Sequence, residues 1–483
     1  MDQDVNDRSL LERLENHRDR DYLSLHMPGH KENDDLAPYL KTLSAGLDIT
    51  ELPGFDDLHA PEDILAESMA RATALFGSGE SLYQVNGSSG ALLAAIRGST
   101  RRGDRVLAAR NCHKAIYHGL ELCGLKPVYL LPETEPTFGL AGSITPEQVE
   151  EALEKNPDVK LIIYPSPTYD GVLSDTAGIC RIAHTRRIPV LVDEAHGAHL
   201  GLTKHFPPGA VSQGADLVAA SLHKMLPSLT QTAILHINGD LVDRREVRRQ
   251  AGIFQSSSPS YLLMASMDGC VRLLEEKREE LFGAWSRRLG EFDELASGLK
   301  HLRLPGHEAD AGKSYPGIFA LDPARIVIST RNSALTGVEL MRRLREEYRI
   351  ELEMALDSYA VAMTGPGNDD TMPRRLAEAL LELDERFGPA HEEAQFVPAY
   401  SIPPHGIGIE SAARAERESV PLRGAVGRIS AGYLWAYPPG IPLVVPGEQV
   451  TEELAETVER LKSAGVKLVG AGEAPVPSIP VLL

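Results

Sequence analysis

Cysteine is scarce: Cys112, Cys123, Cys180 and Cys270 are the only four in 483 residues. None is in CxxC spacing and no cysteine–histidine cluster has zinc-ligand spacing, so neither a disulfide framework nor a zinc motif is written here, and a reducing cytoplasm is the simplest home. Basic residues are in deficit, 49 Lys and Arg against 69 Asp and Glu, giving a net charge of −20. That balance argues against a nucleic-acid partner, which needs clustered cations for its phosphates. It suits a cationic partner, or solubility alone. No apolar run approaches the roughly 18 residues that span a bilayer, and the N-terminal "MDQDVNDRSLLERLENHRDR" is charged throughout, unlike a signal peptide. The expectation is a soluble, unexported protein.

What is present is the material of a core. Apolar residues make up 42% and charged residues 24%, proportions of a globular chain, and at roughly 100–200 residues per domain the length predicts two or three lobes. Residues near Leu10, Leu11 and Leu14 have helical spacing and read as a short helix or arm. From about residue 60 helix and strand alternate. "DILAESMARATALFG" reads as a helix stopped by Gly77, "SLYQVNG" as a strand, and "SSGALLAAIRGS" as the helix after it. "DRVLAAR", "KPVYLLP", "KLIIYPSP", "IPVLVDEAH" and "ADLVAASLH" are Val, Ile and Leu rich runs, which predicts an α/β fold with a mostly parallel sheet covered on both faces. Beyond residue 260 a long helix leads into a smaller α+β lobe. The expected division is an arm over 1–34, a large domain over 35–296 and a C-terminal region over 297–483, with a further boundary near the Pro and Gly rich 388–405.

In open α/β sheets ligands bind at the carboxyl ends of strands, so three strand ends carry the functional reading. Ser88 and Ser89 follow the turn at Gly87 and open a helix, a place suited to phosphate and equally to ordinary capping. Asp193 ends "PVLVDEAHGAH", followed by Ala195 and His196; it suits a protonated ring nitrogen with a flat ring against Ala195, or a structural cap. Ser221, His223 and Lys224 end "DLVAASLHK". Lysine is seldom buried without a partner, and a desolvated lysine is a usable amine nucleophile, whereas a solvated loop lysine is the bland alternative.

Phosphate cradle, strand-end Asp and strand-end Lys, in that order, resemble the fold-type-I pyridoxal phosphate enzymes, whose large domain is aspartate-aminotransferase-like. "SLHKMLPSLTQTA" further resembles the lysine-site signature of the Orn/Lys/Arg decarboxylase family, with Pro227 where that family usually has a small residue. "HMPGHK" (26–31), "DITELPGFDDLHAPEDIL" (48–65), "VNGSSGA", "RNCHKA" (110–115), "VDEAHGAH" and "GRISAGYLWAYPPGIPLVVPGE" (427–448) are similar in family order across nearly the whole chain. The resemblance implies pyridoxal 5'-phosphate held covalently by Lys224, with Asp193 on the pyridine nitrogen and Ser88, Ser89, Ser221 and His223 on the phosphate. It implies His113 on the ring face opposite Ala195, His196 near the ring hydroxyl, and Ser257 in "FQSSSPS" reaching the phosphate of a neighbouring subunit, hence a homodimer or larger homo-oligomer with shared sites. Without it, His113 and His196 read as loop histidines.

The same resemblance places Glu353 at the cationic end of a basic amino-acid substrate, because a neutral substrate would leave a desolvated carboxylate unpaired. Asp357 reads as an assistant to it or as a turn residue, and Arg428 as a carboxylate ligand or a tie between lobes. The implied reaction is decarboxylation, with His113 or Lys224 returning the proton to Cα. The chain resembles the compact form, without the extra N-terminal receiver-like domain of the long members. On that analogy the expected substrates are arginine first, giving agmatine for polyamine biosynthesis, then lysine and ornithine. Rival readings are another fold-type-I reaction such as transamination, and a binding protein that retains the fold.

Overall fold

The computed structural model describes residues 9–19, 42–307, 314–390, 402–437, 441–463, 467–470 and 478–483, together with positions 27, 28, 30, 31 and 39. Parts of the 26–31 and 427–448 blocks, and residues 391–401 at the expected 388–405 boundary, lie outside them.

The strands of the first half are β1 (Glu80–Gln84), β2 (Arg105–Ala109), β3 (Lys126–Leu130), β4 (Val159–Pro165), β5 (Val172–Leu173), β6 (Val190–Asp193), β7 (Leu217–Ser221) and β8 (Ala233–Ile237). Seven of them form one sheet in the order β1-β8-β7-β6-β4-β2-β3. All its pairings are parallel except the two made by β8, which runs against β1 and β7. The sheet is therefore mostly parallel, as its apolar runs predict; β8, "AILHI", is a strand that the sequence reading did not single out. The carboxyl ends of β1, β2, β4, β6 and β7 share one edge.

Why the runs are apolar throughout is clear from the packing. Ala219 and Ala220, neighbours on β7, which runs parallel to β6, enter two different cores, one on each face of the sheet. A parallel strand covered on both faces has no solvent side on which to place polar residues.

The first of those cores continues past the sheet. It gathers the N-terminal helix Leu10–Arg18, the helix Ile64–Phe76 and the long helix Tyr261–Ala296, and runs on into the C-terminal region. Ser9 starts the N-terminal helix with a reciprocal capping box to Glu12. Leu10 and Leu14, 0% and 1% exposed, seat it, and burial on this scale stabilises by roughly 1.5–3 kcal/mol per side chain. Asp268 of the long helix accepts from the Leu10 N–H at 3.0 Å and from the Ser68 hydroxyl at 2.6 Å. The helix Ile64–Phe76 stops at Gly77, whose φ of 66° is the left-handed cap that glycine adopts without strain.

After the long helix come β9 (Ala320–Leu321), β10 (Arg325–Ser329), β11 (Met354–Ala355) and β12 (Tyr359–Met363), the last three an antiparallel sheet in the order β10-β12-β11. β9 pairs with β5 in a separate two-stranded ribbon, tying this lobe to the connection between β4 and β6. The final strands, β13 (Arg417–Pro421), β14 (Leu434–Tyr437), β15 (Ile441–Val444), β16 (Lys467–Val469) and β17 (Ser478–Leu482), surround a separate small core. Among the described residues no helix is long and apolar enough to cross a membrane.

Candidate active site

The turn after β1 is pinned from three sides. The Val85 N–H donates to Gln255 Oε1 at 2.8 Å, the Asn86 amide donates to the Phe254 carbonyl at 2.8 Å, and the Gln231 amide donates to the Val85 carbonyl at 2.6 Å. Gly87 takes a φ of +69°, and the helix Gly87–Ser99 starts there without a side-chain cap. Its first N–H groups are thus left for an anion, with the positive end of the helix dipole behind them. The Ser221 hydroxyl, from the end of β7, donates to Ser88 Oγ at 3.0 Å, so two of the expected phosphate contacts meet. Ser89 is exposed at the same helix start. His223 stands two residues after Ser221, its Nδ1–H donating to the Thr232 carbonyl at 2.8 Å. That fixes Nε2 as the free nitrogen, which an adjacent dianion would protonate.

Asp193 ends β6 almost fully buried and accepts from the Ala195 N–H at 3.2 Å. Burial pushes its carboxyl up, and nearby Lys224 opposes that. A carboxylate in this position gains most by meeting a second cation, such as a protonated ring nitrogen. Lys224, on the short helix Leu222–Met225, is pulled down by its own burial against the attraction of Asp193 and Glu353. Its Nζ sits 2.9 Å from His196 Nε2.

His113 serves two ends. Its Nδ1 accepts from the Ala115 N–H at 3.2 Å, capping the helix Lys114–Leu122 and leaving its proton on Nε2. Burial, assisted by Lys224, pushes it down to about 4, so the ring is neutral near pH 7.

One cleft is lined by Ser88, His113, Asp193, Ala195, His196 and Lys224 of the expected set, while Ser89, Ser221 and His223 stand outside its wall. The sequence reading missed Asn111, Thr168, Tyr169 and Asp170, which line it too, and Arg325 behind His196. "SPTYDG" carries a legible signal, a polar turn directly after β4, whereas nothing around Arg325 distinguishes it from a surface arginine.

Beside His196, Tyr169 packs its ring 4.6 Å from the imidazole and donates its hydroxyl to Glu353. Glu353 itself is exposed. Asp170 is buried, accepts from the Tyr359 hydroxyl at 2.9 Å, and is pushed up to about 6 by burial. Three expected residues stand elsewhere. Ser257 is exposed and does not line its own chain's cleft. Asp357 uses its carbonyl to accept from the Gly337 N–H at 2.8 Å, in keeping with a turn residue. Arg428 pairs with Glu418 at 2.7 Å and donates to the Leu482 carbonyl at 2.6 Å, tying terminal strands together.

Pyridoxal phosphate fits this donor set. A lysine amine, a buried carboxylate and the uncapped helix start that carries Ser88 face one cleft. Asn111 adds a buried Oδ1 with no hydrogen-bond partner among the described residues, on the cleft wall beside His113.

Residues 9–288 match the family model described as Orn/Lys/Arg decarboxylase, major domain, and residues 392–466 match that of its C-terminal domain. The chain is 31% identical to the arginine decarboxylase of Bacillus anthracis over 98% of its own length and 97% of that protein. It is also 31% identical to the arginine decarboxylase of Bacillus subtilis, over 97% and 96%. Among solved structures, the lysine decarboxylase of Francisella novicida superposes with a TM-score of 0.82 at 18% identity, over 98% of this chain and 81% of that one. The fold is that of the fold-type-I pyridoxal phosphate enzymes.

Proposed function

Since the chain belongs to the Orn/Lys/Arg decarboxylase family, whose cofactor is pyridoxal phosphate, we propose that it decarboxylates arginine to agmatine and CO2. The observation that carries the basic-substrate reading is Glu353, an acid held by Tyr169, whose side chain lines the cleft together with Lys224. Arginine is preferred to lysine because the near full-length relatives at 31% identity carry that name.

In this reading Lys224 attaches the cofactor, Asp193 accepts from its ring nitrogen, Ser88, Ser89, Ser221 and His223 hold its phosphate, and Ala195 and His113 flank its ring. Pyridoxal phosphate supplies an electron sink for the charge left on Cα when CO2 departs. The protein's part is orientation and proton control. Glu353 and Tyr169 fix the substrate's cationic end, which sets the direction of its carboxylate. His113, neutral near pH 7 because burial pushes it to about 4, and the Lys224 amine are the two groups that move a proton at Cα.

We extend the proposal to assembly and location. Ser257, exposed and outside its own cleft, serves the phosphate site of a second copy, so the working unit is a homodimer or a multiple of it. The four cysteines are free and buried, in keeping with a reducing cytoplasm and an unexported enzyme of polyamine biosynthesis.

The test is CO2 release with identification of the amine, from protein loaded with pyridoxal phosphate and given arginine, lysine and ornithine separately. Agmatine alone supports the proposal. Cadaverine or putrescine overturns the substrate and keeps the reaction. Release from none, with visible absorbance of the bound cofactor lost in Lys224→Ala, overturns the reaction and keeps the cofactor site.

A further inference from the structure

We propose that Arg325 is a positioning residue that selects the tautomer of His196 and so keeps the Lys224 nitrogen free to accept a proton. The inference rests on Lys224 being the cofactor lysine only for its consequence; the geometry stands without it.

Arg325 opens β10 in the C-terminal region and is 2% exposed. Its Nη2 lies 3.0 Å from the carbonyl oxygen of His196 and 3.2 Å from His196 Nδ1, and its Nη1 lies 2.8 Å from Met225 Sδ. A guanidinium has donors and no acceptor, so His196 Nδ1 must be the acceptor and carries no proton. The single proton of a neutral imidazole is then on Nε2. That atom faces Lys224 Nζ at 2.9 Å.

The consequence follows by elimination. An ammonium at Lys224 has only donors, so at 2.9 Å it would meet the Nε2–H donor to donor. An imidazolium at His196 would repeat the conflict at Arg325. The arrangement closes only when the chain runs from Arg325 to His196 to Lys224, with the Lys224 lone pair receiving. A lysine that must attack a carbonyl needs that lone pair.

The surrounding charges act on the same three groups. Asp193 and Glu353 favour the ammonium of Lys224 while Arg325 disfavours it. His113 and His223 join Lys224 and Arg325 in keeping His196 neutral. Asp322 and Asp170 stabilise the charge on Arg325. Because Arg325 comes from the C-terminal region and His196 from the large sheet, the selector is delivered only when the two pack together.

The measurement is nitrogen NMR of histidine-labelled protein free of cofactor, with His196 assigned by its loss in His196→Gln. The expected spectrum has the proton on Nε2 and bare Nδ1 from pH 6 to 9. In Arg325→Met the Nδ1–H form becomes populated, and the midpoint of pyridoxal phosphate capture against pH, followed by absorbance, rises by about one unit. Arg325→Lys, also a pure donor, restores the parent tautomer. A parent spectrum with Nδ1–H or imidazolium overturns the proposal, as does an unchanged tautomer in Arg325→Met. Should Arg325→Met not fold, the parent spectrum alone decides. Unaltered capture by Lys224→Ala would instead overturn the reading of Lys224 and leave the tautomer result standing.

Discussion

Arg110 and Glu448 form a two-pronged ion pair, both bonds 2.9 Å long, with the side chains 1% and 0% exposed. It joins the end of β2, one residue before Asn111 of the cleft, to the terminal segment that follows β15. Burial pushes the Glu448 carboxyl up and Arg110 opposes it. Arg110→Met should therefore destabilise by about 3–5 kcal/mol by leaving a buried acid unpaired. Without its partner Glu448 has a further raised folded value, so the variant is least impaired at acid pH and loses stability as pH rises. Urea unfolding at pH 6 and pH 8 checks this; Arg110→Met with Glu448→Gln should regain most of the loss, and equal losses at both pH values would contradict the assignment.

Glu353 and Tyr169 differ in what they offer a cationic side chain. Glu353→Gln removes the charge and should lower kcat/KM for arginine on the order of 100-fold, mostly through KM; Tyr169→Phe removes one hydrogen bond and should cost roughly 10-fold. Steady-state kinetics read both, and an unchanged KM in Glu353→Gln would remove Glu353 from the substrate pocket.

Asp193 is among the charges that hold the Lys224 amine up against its own desolvation. Asp193→Asn should shift the midpoint of pyridoxal phosphate capture to lower pH while weakening retention of the cofactor on dialysis. A shift to higher pH would mean that Asp193 does not act on Lys224.

Glu194, beside it, accepts from the Ala210 N–H at 2.7 Å and is pushed up by burial to about 8. A raised folded value gives stability that is complete below the unfolded value near 4.5 and is lost as pH rises through about 8. Glu194→Gln keeps the acceptor and should unfold at a higher temperature than the parent at pH 9, with little difference at pH 5. Parallel melting curves at both pH values would refute the burial argument.

The sequence by itself determined the apolar strand runs, the long helix after residue 260, and the strand ends carrying Ser88, Asp193, Ser221 and Lys224, because period, turn chemistry and strand-end placement are local. Its resemblance to one family added His113, His196 and Glu353. Only the tertiary structure decided that Tyr169 meets Glu353, that Arg325 meets His196, and that Arg110 meets Glu448, partners 184, 129 and 338 residues apart. It also decided that "AILHI" becomes the one reversed strand of the large sheet. An isolated arginine or tyrosine has the same local signature whether it ends in solvent or in a core. Which it does is set by how distant elements pack, and that packing fixes the donor order along Arg325, His196 and Lys224.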